Sequence, residues 1–451
     1  MTVSVRFAPS PTGLLHIGNI RAALFNYLFA RKSGGSFMLR LDDTDQERST
    51  KVFEDALLRD LTWLGFRWDS FAKQSDRTAR YAEVLEQLKA KGRVYACFET
   101  QAELDLKRKS QLGRGLPPVY DRAGLRLTDD EKAKLIAEGR KPHWRFRLND
   151  RETAWDDLIQ KHKSFPAGAV SDPVLVRADG VPLYTYCSMV DDSDFGVTHI
   201  IRGEDHVTNT AVQIQIWEAI TDKPAPIFAH FPLLVSSTGQ EMSKRLGTLS
   251  IASLRDGTEG YKIEPMAINS LLAALGTSMP IAPHVSMDEL VASFDLAHVS
   301  RATPKFDLDE LQHLSAKILH MTAFDAIKGK LADAGLATID EPFWNAVRAN
   351  LTKLDDLKAW WDIANAPLTP RIDDTAFIAE AAKDLPQGPW DQSTWTQWTD
   401  AVKTRTGRKG KELYAPLRLA LTGLDHGPEL KTFLPLIGPA RAAARLAGEK
   451  A

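Results

Sequence analysis

Cysteine is nearly absent: Cys97 and Cys187 are the two in a chain of 451 residues. They stand far apart, so they form no disulfide framework and no four-cysteine metal site, and they fit a reducing compartment. Long hydrophobic runs are missing too. The apolar stretch at 268–275 is interrupted by Asn269 and Ser270, so no membrane span is expected. The opening residues, MTVSVRFAPSPTG, place no apolar run behind a basic start. That speaks against a secretory leader, and a cytoplasmic protein is expected. Nor is there an excess of one charge sign. Lys and Arg number 57 against 59 Asp and Glu, a net charge of −2. A polyanionic partner must therefore be met by a local patch and not by a global field. The glycine–lysine motif of P-loop ATPases is lacking, as are internal repeats and low-complexity tracts.

What remains is ordinary globular composition, 43% hydrophobic and 26% charged. At this length it suggests about three domain-sized units. Residues 3–8 alternate and carry β-branched side chains, as a short strand does. A Pro- and Gly-bearing loop follows at 9–15. A helix then starts near His16, with Ile17, Ile20, Leu24 and Leu28 at helical spacing, and stops at Gly34-Gly35. Phe37, Leu39 and Leu41 alternate as a second strand that runs into the acidic loop Asp42-Asp43-Thr44-Asp45. Helices near 52–64 and 76–91 end at Gly65 and Gly92. Strand, helix and strand in this order imply a parallel sheet.

Residues 96–175 break the pattern and read as an inserted module. It holds a basic, loop-like run KRKSQLGR at 107–114, Pro117-Pro118, and a strand through Trp144, Phe146 and Leu148. The α/β pattern then returns. Strands are expected at 174–177 and 183–186 around a turn at Gly180, and again at 198–202 and 227–230, with a helix at 209–220. Beyond Leu249 helical windows dominate, at 265–275, 308–318 and 376–385, so 246–451 reads as mostly α-helical.

The first chemical constellation is Pro9-Ser10-Pro11-Thr12-Gly13 followed by His16-Ile17-Gly18-Asn19. It sits where a strand ends and a helix begins, the place where a parallel sheet binds ligands. The helix start offers free N–H groups and a positive dipole end to a phosphate. Gly13 and Gly18 let a nucleotide approach the backbone. His16 can donate to charge growing on a phosphate oxygen. An isolated His with two glycines is more often a turn with a solvated ring; the whole string behind a strand carries the nucleotide reading. The second constellation is Glu241-Met242-Ser243-Lys244-Arg245. A mobile cation such as Lys244 stabilises charge spreading over displaced phosphates. On its own, such a triplet is usually just surface.

These strings resemble the two signatures of the class I aminoacyl-tRNA synthetases. Asn19 takes an accepted variant of the last position of His-Ile-Gly-His, and Glu241 departs from the first lysine of Lys-Met-Ser-Lys-Ser. Val5-Arg6-Phe7, AALFNYLFAR at 22–31 and RLDDTD at 40–45 are similar to the bacterial glutamyl branch. The resemblance implies an α/β fold: a Rossmann-like parallel sheet split by an insertion, followed by a mostly α-helical C-terminal half. It implies a catalytic domain at 1–95 and 176–245, an acceptor-binding module at 96–175, a stem-contact region at 246–310 and a helical anticodon-binding domain at 311–451. The implied activity is ATP-dependent ligation of L-glutamate to tRNA(Glu) through a glutamyl-adenylate. The same chemistry on tRNA(Gln), alone or as well, is the alternative. ATP enters as a substrate with Mg2+, and the enzyme acts as a monomer away from membranes. The glutamyl branch generally activates its amino acid only with tRNA bound.

The resemblance also distributes roles. His16 and Lys244 are catalytic. Gly13, Gly18, Asn19, Glu204, Asp205, Met242, Ser243 and Lys244 bind ATP. Arg6, Ser10, Asp42, Tyr184, Ser188 and Arg202 bind glutamate: Arg6 and Arg202 surround the substrate carboxylate, Tyr184 adds a hydroxyl, and Asp42 faces the ammonium. Many glutamyl enzymes carry Glu where Asp42 stands. Taken singly, Arg202 and Asp205 could form an ordinary ion pair, and Tyr184 could be core. Some relatives hold zinc in the insertion. Here Glu99 stands where a second cysteine is needed, and no Cys or His pair follows Tyr120. No zinc is expected, and packing is expected to hold 96–125 together. For RNA, the basic runs are Lys107-Arg108-Lys109 and RTGRKGK at 405–411. The string from Gly407 to Gly423 is similar to the family's helical anticodon-binding region. A glutamine-specific relative would end in β-barrels. A tRNA-binding module without catalysis is opposed by the intact His16 and Lys244.

Overall fold

Strand β1 (Ser4–Phe7) runs into helix α1 (Ile17–Lys32), which returns to strand β2 (Ser36–Leu41) in this computed structural model. The structure describes residues 2–239, 249–257 and 261–451. β1 and β2 pair in parallel, with Val5 opposite Phe37 and Phe7 opposite Leu39. Helix α2 (Lys51–Trp63) leads to β3 (Ser70–Lys73), which pairs in parallel with β2. Phe37 to Leu41 are all buried, as in a strand covered on both faces, and Arg40 is the one charged residue among them.

Helix α3 (Thr78–Ala90) and β4 (Val94–Cys97) lead into the insertion. There α4 (Gln101–Gly113) and α5 (Asp129–Ala137) precede β5 (His143–Phe146), β6 (Thr153–Asp157), β7 (Lys161–Phe165) and β8 (Val174–Val176). Strands β4, β5 and β8 form an antiparallel sheet, and β6 and β7 a hairpin. The main sheet resumes with α6 (Tyr184–Asp194), β9 (His199–Gly203), α7 (Val207–Ile220) and β10 (Ile227–Phe231). β9 and β10 pair in parallel, with Arg202 opposite His230.

β1 and β9 meet only at their starts. Thr198 N donates to Ser4 O at 2.9 Å, and Ser4 N to Thr198 Oγ1 at 2.8 Å. The spatial order is therefore β3-β2-β1-β9-β10, and the chain departs in opposite directions on either side of the β1–β9 junction. In an open parallel sheet this switch point is where ligands sit.

Two expectations fail. The segment 183–186 is not a strand, because Tyr184 opens α6. All eight residues Tyr186–Ser193 are buried, and without an exposed face there is no amphipathic period to read. The run 107–114 is not a loop but the second half of α4 with its capping residue Arg114. That helix buries none of its residues and so has no apolar stripe either. Its start is fixed by a capping box, in which Thr100 Oγ1 accepts from Glu103 N and the Glu103 carboxylate accepts from Thr100 N.

The chain divides into two compact units, Met1–Tyr261 with Ile268–Asp307, and Lys262–Ala267 with Leu308–Ala451. Within the first, β11 (Val235–Ser236) pairs with β12 (Lys305–Phe306), and α8 (Ile251–Asp256) and α10 (Met287–Ser293) are added. Helix α9 (Pro265–Ala274) has residues in both units. The second unit is otherwise helical beyond Leu308, around a core that includes Trp344, Trp398, Leu417 and Phe433. Among the described residues no helix is long and apolar enough to cross a membrane.

Candidate active site

The start of α1 is organised by the signature's own side chains. His16 is extended, at φ −120°, and caps the helix. Its Nδ1 accepts from Gly18 N at 3.1 Å, and Asn19 Oδ1 accepts from His16 N at 3.2 Å. An accepting Nδ1 leaves the ring proton on Nε2, so the neutral imidazole presents a donor on its outer edge. Burial lowers the His16 pKa from 6.5, which favours that neutral form. A Cβ on Gly18 would lie 3.1 Å from the His16 ring, so glycine there secures the ring's place. Gly13 has open space where a Cβ would go. Ser10 is exposed, and its carbonyl accepts from Thr12 N in a turn. Ser250 bridges to His16, and Ile251 N donates to Leu15 O at 2.9 Å. The chain a few residues past Lys244 thus lies against this loop. Glu241, Met242, Ser243 and Lys244 themselves lie outside the described residues.

Beneath that loop is a buried charge network. Arg6 on β1 donates from Nε to the Asp192 carboxylate at 3.2 Å. Arg40 on β2 donates to Asp192 Oδ1 at 2.6 Å and to Asp42 Oδ1 at 2.7 Å, and reaches Ser188 Oγ at 3.4 Å. Asp191 lies 3.5 Å from Arg40 Nε and accepts from Arg77 Nε at 2.6 Å. Such a cluster tolerates burial only because its charges are paired and bonded. Burial raises the Asp42 pKa to about 6, although Arg40 pulls the other way.

Arg202, on β9, differs. It is 5% exposed, and among the described residues no carboxylate forms an ion pair with it. Its neighbours are neutral: Tyr184 Oη at 3.3 Å, Thr210 Oγ1 at 2.6 Å and His230 Nε2 at 3.2 Å. Burial lowers its pKa, and Arg6's charge lowers it further. Glu204 and Asp205 follow in a short turn, Glu204–His206. Glu204 accepts from Gln160 Nε2 at 3.1 Å, and Asp205 is exposed. A Cβ at Gly203 would collide with the Asp205 carboxylate. His206, its ring tilted against that of Tyr184 at 5.5 Å, is driven to about 4 by burial and by Arg202, so it is neutral at pH 7. Its 3.7 Å approach to Asp205 is then no ion pair.

This helix start, with a buried guanidinium at the end of a neighbouring strand, can be compared with known proteins. A model of the tRNA synthetases class I (E and Q) catalytic domain matches residues 2–313, and a model of an anticodon binding domain matches 369–448. The chain belongs to this class I synthetase family. A glutamate–tRNA ligase of Azospirillum brasilense is 57% identical over 451 residues, covering 100% of both chains. Glutamate–tRNA ligase 2 of Methylorubrum populi is 54% identical, covering 99% of each. The crystal structure of a glutamate tRNA ligase from Elizabethkingia meningosepticum, in complex with its amino acid, is 27% identical with a TM-score of 0.82, covering 99% of each chain.

In this synthetase the residues singled out from sequence fall into three groups. His16, Gly18 and Asn19 form the cap of α1. Arg6, Asp42 and Ser188 share the buried network. Tyr184 and Arg202 stand together beside it. Arg40, Asp191, Asp192, Asp157, Thr210 and His230 were missed. The available signal was charge inside apolar windows: Arg40 within FMLRL, and Asp191-Asp192 directly after Met189-Val190.

In the insertion Cys97 has two possible metal-ligating side chains beside it. The β4–β5 register sets His143 opposite it, and Cys97, Glu99 and His143 offer ligand atoms within 4.8 Å of one another. The strand pairing that makes this trio has no sequence spacing to announce it. His143 Nε2 and Glu99 Oε2 are buried without partners, which is what a metal would relieve. The set nevertheless falls short of the four ligands of a structural zinc site. Tyr120 Oη already bridges Glu99 Oε1 at 2.8 Å and Cys97 Sγ at 3.4 Å. Lys107 Nζ is 3.3 Å from Glu99, and the Arg145 guanidinium lies 4.0 Å from the Tyr120 ring centre. Two cations thus stand where a divalent ion would add a third. Burial pushes the Cys97 thiol up to about 11.

Proposed function

We propose that this synthetase activates L-glutamate with ATP as glutamyl-adenylate and transfers it to tRNA(Glu). The observation that carries the reading is Arg202: a buried guanidinium without a counter-ion among the described residues, flanked by the Tyr184 hydroxyl. A side-chain carboxylate of the substrate would complete it with a bidentate pair. Arg6 adds positive potential, and an ionised Asp42 would receive the ammonium. The names of the relatives support the choice of glutamate.

In the first step an oxygen of the α-carboxylate attacks the α-phosphorus of ATP, brought with Mg2+, and the bond to the β-phosphate oxygen breaks. The Nε2–H of His16 donates to the phosphate oxygens as charge builds, with the α1 start behind it. Lys244 supplies a cation to the departing pyrophosphate. In the second step a terminal ribose hydroxyl of the tRNA attacks the carbonyl carbon, and AMP leaves. Residues 96–175 would hold the acceptor end, 246–310 the stem and 311–451 the anticodon, in a monomer carrying no zinc.

Charging of purified tRNA(Glu) and tRNA(Gln) with labelled glutamate tests the acceptor, including the alternative that both are charged. Arg202→Gln is expected to raise the glutamate KM about a hundredfold, with the ATP KM nearly unchanged. His16→Ala and Lys244→Ala are each expected to lower kcat about a hundredfold or more, with tRNA affinity kept. Unchanged glutamate KM in Arg202→Gln would overturn the assignment of the pocket.

A further inference from the structure

Arg202 is held from behind by a side chain that is held in turn by the insertion. Asp157, the last residue of β6, is buried, and both its oxygens are saturated by N–H donors. Oδ1 accepts from the backbone N–H of Ile159 (3.0 Å), Gln160 (2.9 Å) and His230 (3.0 Å). Oδ2 accepts from His230 Nδ1 at 2.5 Å and from Trp155 Nε1 at 3.4 Å. Every group facing this carboxylate donates, so it is ionised, and its pKa falls to about 2 even though burial acts to raise it.

The tautomer of His230 follows. Nδ1 carries the proton, and Nε2 accepts from Arg202 Nε at 3.2 Å; the Thr210 hydroxyl, whose one proton has His230 Nε2 at 2.9 Å and His206 O at 3.3 Å as acceptors, lies nearest to Nε2. Thr210 Oγ1 also accepts from Arg202 Nη2 at 2.6 Å. The guanidinium is therefore fixed along one edge by two neutral acceptors, the Tyr184 hydroxyl accepts one Nη1 proton at 3.3 Å, and the remaining Nη protons have no acceptor among the described residues and can meet an incoming carboxylate. A carboxylate on this edge would neutralise Arg202 and remove its pull on a substrate anion. The relay supplies acceptors without supplying adjacent charge. The insertion is tied here as well, through Leu158 N to Phe228 O at 3.0 Å.

We propose that Asp157, His230 and Thr210 are positioning residues for glutamate recognition, acting through Arg202, so that the inserted module completes the amino-acid pocket of the catalytic sheet. This rests on the reading that Arg202 receives the substrate's side-chain carboxylate. In Asp157→Asn the amide is nearly isosteric but carries a donor. The ring can then turn its proton to Nε2, against the Arg202 Nε–H.

The test is steady-state charging by the full chain with tRNA present. Asp157→Asn is expected to raise the glutamate KM about tenfold, with the ATP KM and the kcat at saturating glutamate within about twofold of the parent. Thr210→Val is expected to do the same, and Thr210→Ser to restore the parent value. The Thr210 pair decides the matter if Asp157→Asn does not fold. Arg202→Gln separates the two readings. If it leaves the glutamate KM unchanged, the pocket assignment fails. If it raises the KM while Asp157→Asn and Thr210→Val do not, the relay alone is wrong. A parallel shift of the glutamate and ATP KM values would mark the relay as merely structural and overturn the proposal.

Discussion

Asp42 directly follows strand β2 inside a cluster of three arginines and two further carboxylates, and its pKa is set by burial and that company. Burial brings it to about 6, with Arg40 opposing the rise and Asp191 and Asp192 adding to it. A raised folded-state value means that Asp42's contribution to stability is full below its ordinary range, near 4, and is lost as pH rises through about 6. Recognition of an ammonium needs the opposite state, the carboxylate. The glutamate KM is therefore expected to rise as pH falls below about 6, and Asp42→Asn is expected to remove the inflection while raising KM at every pH. A KM profile that is flat from pH 5 to 7 would sink this role. Asp157 behaves the other way. Its value near 2 is depressed, so its contribution is present above about pH 4 and is lost as pH falls through 2.

At the scale of elements, α1 shows a helix start built for chemistry at some cost to the helix. Gly18 stands in its first turn, where alanine would gain about 1 kcal/mol of helix propensity. A Cβ there would press the His16 ring from 3.1 Å. Gly18→Ala is expected to keep or slightly raise the melting temperature while lowering kcat about tenfold, as measured by calorimetry beside charging kinetics. A fall in both together would mean that the glycine serves the fold alone. The same scale explains what sequence could and could not reveal. Helix α1 was legible because its cap, its apolar spacing and its closing Gly34-Gly35 agree. Helix α6 was not, because it is buried nearly all round. Helix α4 was not, because its half-buried face, Glu103, Leu104, Lys107 and Gln111, is mostly polar. A periodicity argument needs one buried and one open face.

At the scale of the molecule, each compact unit has its own apolar core. Trp344 is fully buried in the helical unit, and its Nε1 donates to Thr322 O at 3.0 Å. Trp344→Ala is expected to cost about 3–5 kcal/mol, read as lost hydrogen-exchange protection within 308–451. Protection unchanged there would show the side chain to be dispensable. The insertion offers a second whole-protein measurement. Its trio of Cys97, Glu99 and His143 sits beside Lys107 and Arg145, so the purified synthetase is expected to carry far less than one zinc per chain in elemental analysis. Stoichiometric zinc would show that the trio recruits a further ligand.

Local sequence determined the two signature strings, the strand–helix–strand start, the interruption by an insertion and the helical second half, because each is written in contiguous residues whose spacing or chemistry is read without knowing their neighbours. Tertiary structure alone decided that Arg6 and Arg40 share Asp192, that His143 meets Cys97, and that Asp157 reaches Arg202 through His230. Those contacts join residues dozens to hundreds of positions apart, and burial then sets their charge. The strength of an ionic or hydrogen-bonded contact depends on what surrounds it, and only the folded chain supplies that.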